Sequence, residues 1–319
     1  EVCKKDIGFL GTYYLNTPGH RANCIHFGKC AKVSTWNSIT EVYEYPEVRK
    51  AIADADKIVI VSTSPSVRVA LGEEFGMPSG SLVQGKMVAL LRALGVDYVL
   101  DTNFAADLTI MEEGYELIDR LQNGGVLPMI TSCSPGWVKY CEHYFPDLLP
   151  NVSTCKSPQQ MTGAMIKTWF AEKNGLDPKN IVVVSVMPCI AKKFEIKRDD
   201  QDAAGECIPD TDISITTGEL SRLINRAHLD FVNLPDEEFD DAMGISTGAA
   251  AIFGATGGVM EAALRTAADV LEGKSLDNID YTEVRGTEGI KEAVYHVGGM
   301  DVKVAAVSGL SNANEVLEK

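Results

Sequence analysis

The segment Met187-Pro188-Cys189-Ile190-Ala191-Lys192-Lys193-Phe194-Glu195 sets a thiol beside a proline and close to two lysines. Nearby cations lower a thiol's pKa and so make the thiolate a better metal ligand. The alternative is a buried structural cysteine beside two solvated lysines. Two further stretches draw the eye. Thr131-Ser132-Cys133-Ser134-Pro135-Gly136-Trp137 follows the short apolar run Leu127-Pro128-Met129-Ile130, and the stretch from Ser246 to Arg265 contains Gly254, Gly257 and Gly258. Those glycines mark a tight turn opening a helix, where backbone must come close either to a ligand or to a packed neighbour.

Each motif needs an element to hold it. Ile181-Val182-Val183-Val184-Ser185-Val186 is β-branched and reads as a buried strand. Cys189 then falls at the carboxyl end of a strand, where open α/β sheets place their ligands. From residue 46 onward strands are expected at 58–62, 97–101, 129–131, 181–186, 213–216 and 302–307, alternating with helices over 81–94, 106–123, 158–173, 217–226 and 257–268. Such alternation implies parallel sheets with helices on their faces. The expected fold is α/β, with two lobes of mainly parallel sheet, residues 46–150 and 151–319. A cleft between them, the usual place for a cofactor, is expected to be lined by Cys133, Ser134, Cys189 and Phe253.

Residues 1–45 read differently, with weak periodicity and many small polar residues. Cys24-Ile25-His26-Phe27-Gly28-Lys29-Cys30-Ala31-Lys32-Val33-Ser34 keeps the spacing of a ferredoxin cluster run, with Phe27 and Ser34 at two of the four cysteine positions. Cys3 offers only a third thiolate. The segment is expected to be a degenerate ferredoxin-like remnant that holds no cluster of its own.

In order, these motifs resemble the catalytic domain of the [FeFe]-hydrogenases. So do Pro65-Ser66-Val67-Arg68, Ile110-Met111-Glu112-Glu113, Lys156-Ser157-Pro158-Gln159 and Val284-Arg285-Gly286. The resemblance runs from about residue 46 to the last residue. It implies the iron-hydrogenase large-subunit fold and an H-cluster, a [4Fe–4S] cubane joined to a two-iron centre with carbon monoxide and cyanide ligands. Four cysteines hold the cubane in that family. Cys189 matches one, Ser134 stands where the second is a cysteine, and the other two belong to a cysteine- and glycine-rich motif not reached by Glu315-Val316-Leu317-Glu318-Lys319. A serine hydroxyl is a harder ligand than a thiol and far harder to deprotonate. One thiolate is therefore expected to be too few for a cubane.

The resemblance also implies a proton path. Cys133 matches the cysteine that passes protons to the bridging amine of the two-iron centre, and Glu113, Ser153, Glu116 and Arg120 match the rest of that path. A chain of carboxylate, hydroxyl and thiol relays protons through a dry interior when successive groups are in hydrogen-bond reach. Lys192 matches a donor to a cyanide ligand. Ser66 and Gln159 match other pocket positions, and Pro65, Met187 and Phe253 match its apolar wall. Taken singly, Glu113 and Glu116 read equally as a solvated helix face, and Phe253 as plain core. Cys141 and Cys155 fall outside the ligand positions, Cys155 being a candidate substitute ligand.

The 319 residues are 45% hydrophobic, ordinary for a globular protein, and carry a formal net charge of -16. That charge disfavours nucleic acid and anionic membrane as partners; it would suit a basic electron carrier, but simple solubility accounts for it as well. The partner expected from the resemblance is a ferredoxin-like or other redox protein or subunit. No apolar run reaches about 18 residues, so no membrane insertion is expected. Glu1-Val2-Cys3-Lys4-Lys5 does not read as a signal peptide. Three functions follow from the resemblance: reversible reduction of protons to hydrogen gas, a non-catalytic structural or electron-routing subunit of a redox complex, and a part in iron–sulfur assembly.

Overall fold

The computed structural model describes residues 24–36, 38–273 and 288–318. Cys3 and the Val284-Arg285-Gly286 match lie outside them. In chain order the main elements are α1 (Tyr45–Ala53), β1 (Ile58–Thr63), α2 (Val67–Ala70), α3 (Gln84–Ala93), β2 (Tyr98–Asp101), α4 (Thr102–Asn123), α5 (Pro135–Tyr144), α6 (Pro158–Met165), β3 (Ile181–Met187), α7 (Ala191–Glu195), β4 (Ile213–Thr216), α8 (Thr217–Ala227), α9 (Gly258–Glu272), β5 (Ile290–Val297), β6 (Met300–Val307) and α10 (Leu310–Leu317). They form two compact units. Unit one takes Glu1–Val33, Thr109–Cys155 and Gly248–Lys319, and unit two takes Ser34–Leu108 and Lys156–Thr247.

Unit two is built on a four-stranded sheet in the order β2-β1-β3-β4, parallel throughout. Its strands are apolar on both sides because both faces are covered. One face buries Val59, Val61, Val99, Val184, Val186 and Ile215 against Val48 of α1, Met87, Leu90 and Leu91 of α3, and Leu220, Leu223 and Ile224 of α8. The other buries Ile60, Leu100, Ile181 and Val183 against Ile166 and Phe170, in the helical turns that continue α6. Each such side chain contributes about 1.5–3 kcal/mol on leaving water. α8 starts at a capping box, in which the Thr216 hydroxyl accepts from the Glu219 N–H and the Glu219 carboxylate accepts from the Thr216 N–H.

Unit one differs from the expected second parallel sheet. Residues 302–307 pair antiparallel, as part of β6, with β5, from Ile290 opposite Val307 to Val297 opposite Met300. Gly298 and Gly299 both take positive φ, 58° and 78°, at the tip, the geometry a two-residue hairpin turn requires. The hairpin packs Tyr295, Val297, Val302 and Ala306 against Leu264 and Ala268 of α9 and Leu117 and Leu121 of α4. Residues 129–131 form no strand; Ile130 makes a single parallel bridge with Val152. In front of α9, Gly257 has φ 79°, and a Cβ on Gly258 would strike the Ile252 carbonyl. The close approach read from these glycines is thus backbone against backbone.

The N-terminal run lies partly in each unit. Phe27 packs with Ile25, Trp137, Tyr140, Tyr144, Phe145 and Leu310 in an aromatic cluster of unit one. Ser34 uses its hydroxyl oxygen to accept from the Ser38 N–H at 3.0 Å. Phe27 is therefore engaged in packing and Ser34 in turn bonding.

Candidate functional site

In unit one, α4 carries Glu113, Glu116 and Arg120 at spacings of three and four, which puts them along one side of the helix. Arg120 Nη2 donates to Glu116 Oε1 at 2.6 Å and Nε to the same oxygen at 3.1 Å. Its remaining donors reach the carbonyls of Val126, Pro150, Asn151 and Val152 at 3.0–3.2 Å. Arg120 thus braces the chain that leads into Ser153 as well as neutralising Glu116. Ser153 Oγ donates to Glu116 Oε2 at 2.8 Å, and the Thr154 N–H donates to the same carboxylate at 3.1 and 3.2 Å. Burial works to raise the Glu116 pKa, but Ser153, Thr154 and Arg120 outweigh it and hold it below the ordinary value.

Glu113, one turn earlier, has the opposite environment. It is 1% exposed, and burial pushes its pKa up to about 7, against the moderating influence of the Ser153 side chain and Ser132 backbone. Neither of its oxygens completes a well-formed hydrogen bond. Two carboxylates on one helix are driven apart in acidity, the arrangement that separates a proton holder from a fixed charge. Neither is part of a solvated face.

Cys133 is half-buried in the same unit. Ser132, just before it, donates from Oγ to the Cys155 carbonyl at 2.5 Å. Ser134 is exposed and is the N-cap of α5, with extended φ/ψ and no side-chain cap bond. Phe253 is half-buried, just past the short helix Gly248–Ile252. Cys155 donates from Sγ to Glu116 Oε2 at 3.6 Å.

Unit two holds the remaining matched residues. Met187 ends β3, and the half-buried Cys189 and Lys192 follow it. Pro65 and Ser66 follow β1, half-buried and exposed respectively. Gln159, in the first turn of α6, is 1% exposed and lies at the centre of a polar network. Its Oε1 accepts from Ser185 Oγ at 2.8 Å and Ser214 Oγ at 3.3 Å. Its Nε2 donates to Glu195 Oε2 at 2.8 Å, which also accepts from Ser157 Oγ at 2.8 Å. Lys192 Nζ lies 2.9 Å from that same oxygen. Ser185 and Ser214 are register partners on adjacent strands. The network therefore ties the sheet to the ammonium of Lys192 through Gln159 and Glu195. Sequence reasoning missed Ser185, Ser214 and Ser157. The one available signal was serine interrupting two β-branched runs.

The two lysines after Cys189 are not solvated. Lys192 pairs with Glu195, and Lys193 pairs with the buried Glu219 at 2.5 Å. Lys193 is thereby a structural tie between α7 and α8.

Among the described residues, no three His, Cys, Asp or Glu side chains come together as a metal site. Of the two residues read as cubane ligands, Cys189 is a half-buried thiol in unit two and Ser134 an exposed hydroxyl in unit one. This donor set does not fit a four-thiolate cubane.

The family model for the iron-only hydrogenase large subunit, C-terminal domain, matches residues 57–319. The chain belongs to that family. Within this hydrogenase family it is 50% identical over 301 residues to the NADP-reducing hydrogenase subunit HndD of Solidesulfovibrio fructosivorans, covering 92% of this chain and 51% of the relative. It is also 50% identical over 275 residues to the periplasmic [Fe] hydrogenase large subunit of Nitratidesulfovibrio vulgaris, covering 86% of this chain and 65% of that one. The chain thus spans about half to two-thirds of these hydrogenases. Among solved structures, a variant of the apo [FeFe]-hydrogenase HydA1 from Chlamydomonas reinhardtii superposes with a TM-score of 0.75 at 40% identity, over 85% of this chain and 77% of that one. The α/β architecture around the parallel sheet is that of the hydrogenase catalytic domain.

Proposed function

We propose that this chain is the hydrogenase-type catalytic domain of a longer redox protein, serving reversible reduction of protons to hydrogen gas. The observation that carries this reading is the pair Glu113 and Glu116 with Ser153 between them. Glu113, pushed up to about 7 by burial, holds or releases a proton near neutral pH. Ser153 can pass it by hydroxyl rotation, since its Oγ already donates to Glu116. Glu116, clamped by Arg120, supplies the fixed negative charge that stabilises a proton arriving at the outer end. Cys133 is the inner terminus of this path, and Lys192, held by Glu195, is a pocket donor. The H-cluster is the cofactor implied by the family; of the residues read as its cubane ligands, Cys189 is a thiol and Ser134 a hydroxyl. The electron partner is a ferredoxin-like carrier or a sister subunit; the HndD relative is named as a subunit of an NADP-reducing hydrogenase.

The test is hydrogen evolution with a chemical reductant, measured beside iron and acid-labile sulfide content. The 319-residue chain should evolve no hydrogen above background, and Ser134→Cys alone should not restore it. In protein that includes the family's cysteine- and glycine-rich ligand motif after residue 319 and carries Ser134→Cys, cluster assembly and activity are expected, and Glu113→Gln should then lower the rate at least tenfold with unchanged iron. An iron-loaded, inactive extended protein would favour the non-catalytic subunit reading. Ser134, a hydroxyl where the family has a cysteine, is the observation behind that second reading.

A further inference from the structure

The aromatic cluster of unit one is ordered along one helix. Trp137, Tyr140 and Tyr144 stand at spacings of three and four on α5, which sets them in file along one side of it. The Trp137 and Tyr140 ring centroids are 6.4 Å apart and those of Tyr140 and Tyr144 4.9 Å, both within the roughly 4.5–7 Å of aromatic contact. The file begins in the Thr131–Trp137 motif, where Trp137 is half-buried. Its indole N–H is buried and meets no acceptor among the described residues. Tyr140, in the middle, is fully buried. Its O–H donates to Asn314 Oδ1 at 3.4 Å, and Asn314 Nδ2 donates to Glu318 Oε1 at 2.8 Å. Burial, with the neighbouring Tyr144 and Glu318, pushes the Tyr140 phenol up to about 12, and the amide oxygen it faces is no base. Tyr144, at the far end, is half-buried. Packing alone is served by phenylalanine, as Phe27 and Phe145 show in the same cluster. An indole followed by two phenols is instead a row of rings that can each lose one electron.

We propose that Trp137, Tyr140 and Tyr144 form a hole-transfer chain, which carries a one-electron vacancy from the Thr131–Trp137 motif to solvent and so scavenges oxidising radicals. The oxidant is a small one-electron-oxidising radical. It takes an electron from the Trp137 indole and becomes its anion. With no acceptor for its N–H, the indole keeps its proton and stays a radical cation, the more strongly oxidising form. That cation takes an electron from Tyr144 by way of the Tyr140 ring. Tyr144 gives its phenolic proton to water and is left a neutral phenoxyl radical, while Trp137 is restored. Tyr140 bridges rather than holds the vacancy, because a phenol facing an amide oxygen has no base to take its proton. A reductant of the ascorbate class then returns one electron and one proton to Tyr144. In sum, one radical is reduced to its anion, one reductant loses one electron, and one proton passes from that reductant to water. No residue of the proposed proton path takes part, so the chain stands or falls apart from the hydrogenase reading.

The experiment uses the full chain with Trp36→Phe and Trp169→Phe, which leaves Trp137 the sole tryptophan of three. Azide radicals made by pulse radiolysis, which oxidise indole ahead of phenol at neutral pH, start the transfer, and the indole and phenoxyl radical absorptions follow it. We expect the indole radical to decay as phenoxyl appears in equal amount, at a rate independent of protein concentration. Tyr144→Phe, which keeps the ring and removes the phenol, should abolish the phenoxyl growth and leave the indole radical long-lived. Tyr140→Phe, which keeps the bridging ring, should retain the transfer. An indole radical that persists in the parent protein, phenoxyl growth that survives Tyr144→Phe, or a rate that scales with protein concentration would overturn the proposal. So would loss of transfer in Tyr140→Phe protein whose circular dichroism spectrum is native.

Discussion

At the residue scale, Glu113 and Glu116 show that one residue type takes two roles according to what surrounds it. Glu113 has a folded pKa of about 7 against an ordinary 4.5. A raised carboxyl pKa means that the folded state keeps its proton after the unfolded chain has lost it. The associated stability is fully present below about pH 4.5 and is lost as the pH rises through 7, by roughly 3 kcal/mol. Glu113→Gln should therefore gain about that much on the native protein between pH 4 and pH 8, read from urea unfolding at the two pH values. An equal offset at both would refute the burial argument. Gln159 makes a second case. Gln159→Leu leaves Ser185, Ser214 and Glu195 each short of a partner, and should cost roughly 3 kcal/mol. The same urea curves would reveal a neutral substitution, which would mean that the network carries no strain of position.

At the element scale, close packing rather than propensity decides where helices sit. A Cβ on Gly163, in α6, would run into the Asp210 carbonyl and the Thr211 side chain. Gly163→Ala should shift α6, which bears Gln159, and destabilise by about 1–3 kcal/mol. Gly248, where an added Cβ meets nothing within 4 Å, is the control. Gly248→Ala should stay within about 0.5 kcal/mol, and similar thermal melts for the two variants would contradict the packing account. The hairpin belongs to this scale too. Its Gly298-Gly299 tip was a readable turn signal, and the alternating burial of β5 and β6 differs from the continuous burial of β3.

At the scale of the whole molecule, the net charge of -16 should make electron delivery depend on ionic strength. Reduction by a cationic carrier is expected to slow by about tenfold or more as salt rises from 10 to 300 mM, while a neutral reductant is unaffected. Stopped-flow rates in the two cases check this, and equal salt responses would remove charge steering. Of the fold and site, the sequence by itself determined the family, the parallel sheet with its β-branched strands, and the motif residues, because these depend on local pattern and spacing. It left open whether Glu113 is solvated or buried, and whether Lys192 and Lys193 are exposed or paired. It could not show that Ser185 and Ser214 meet at Gln159, or that residues 302–307 turn back antiparallel on 290–297. Only the tertiary structure decided these, because desolvation, ion pairing and strand register are set by groups far apart along the chain, such as Lys193 and Glu219 or Ser132 and Cys155, that no local pattern brings together.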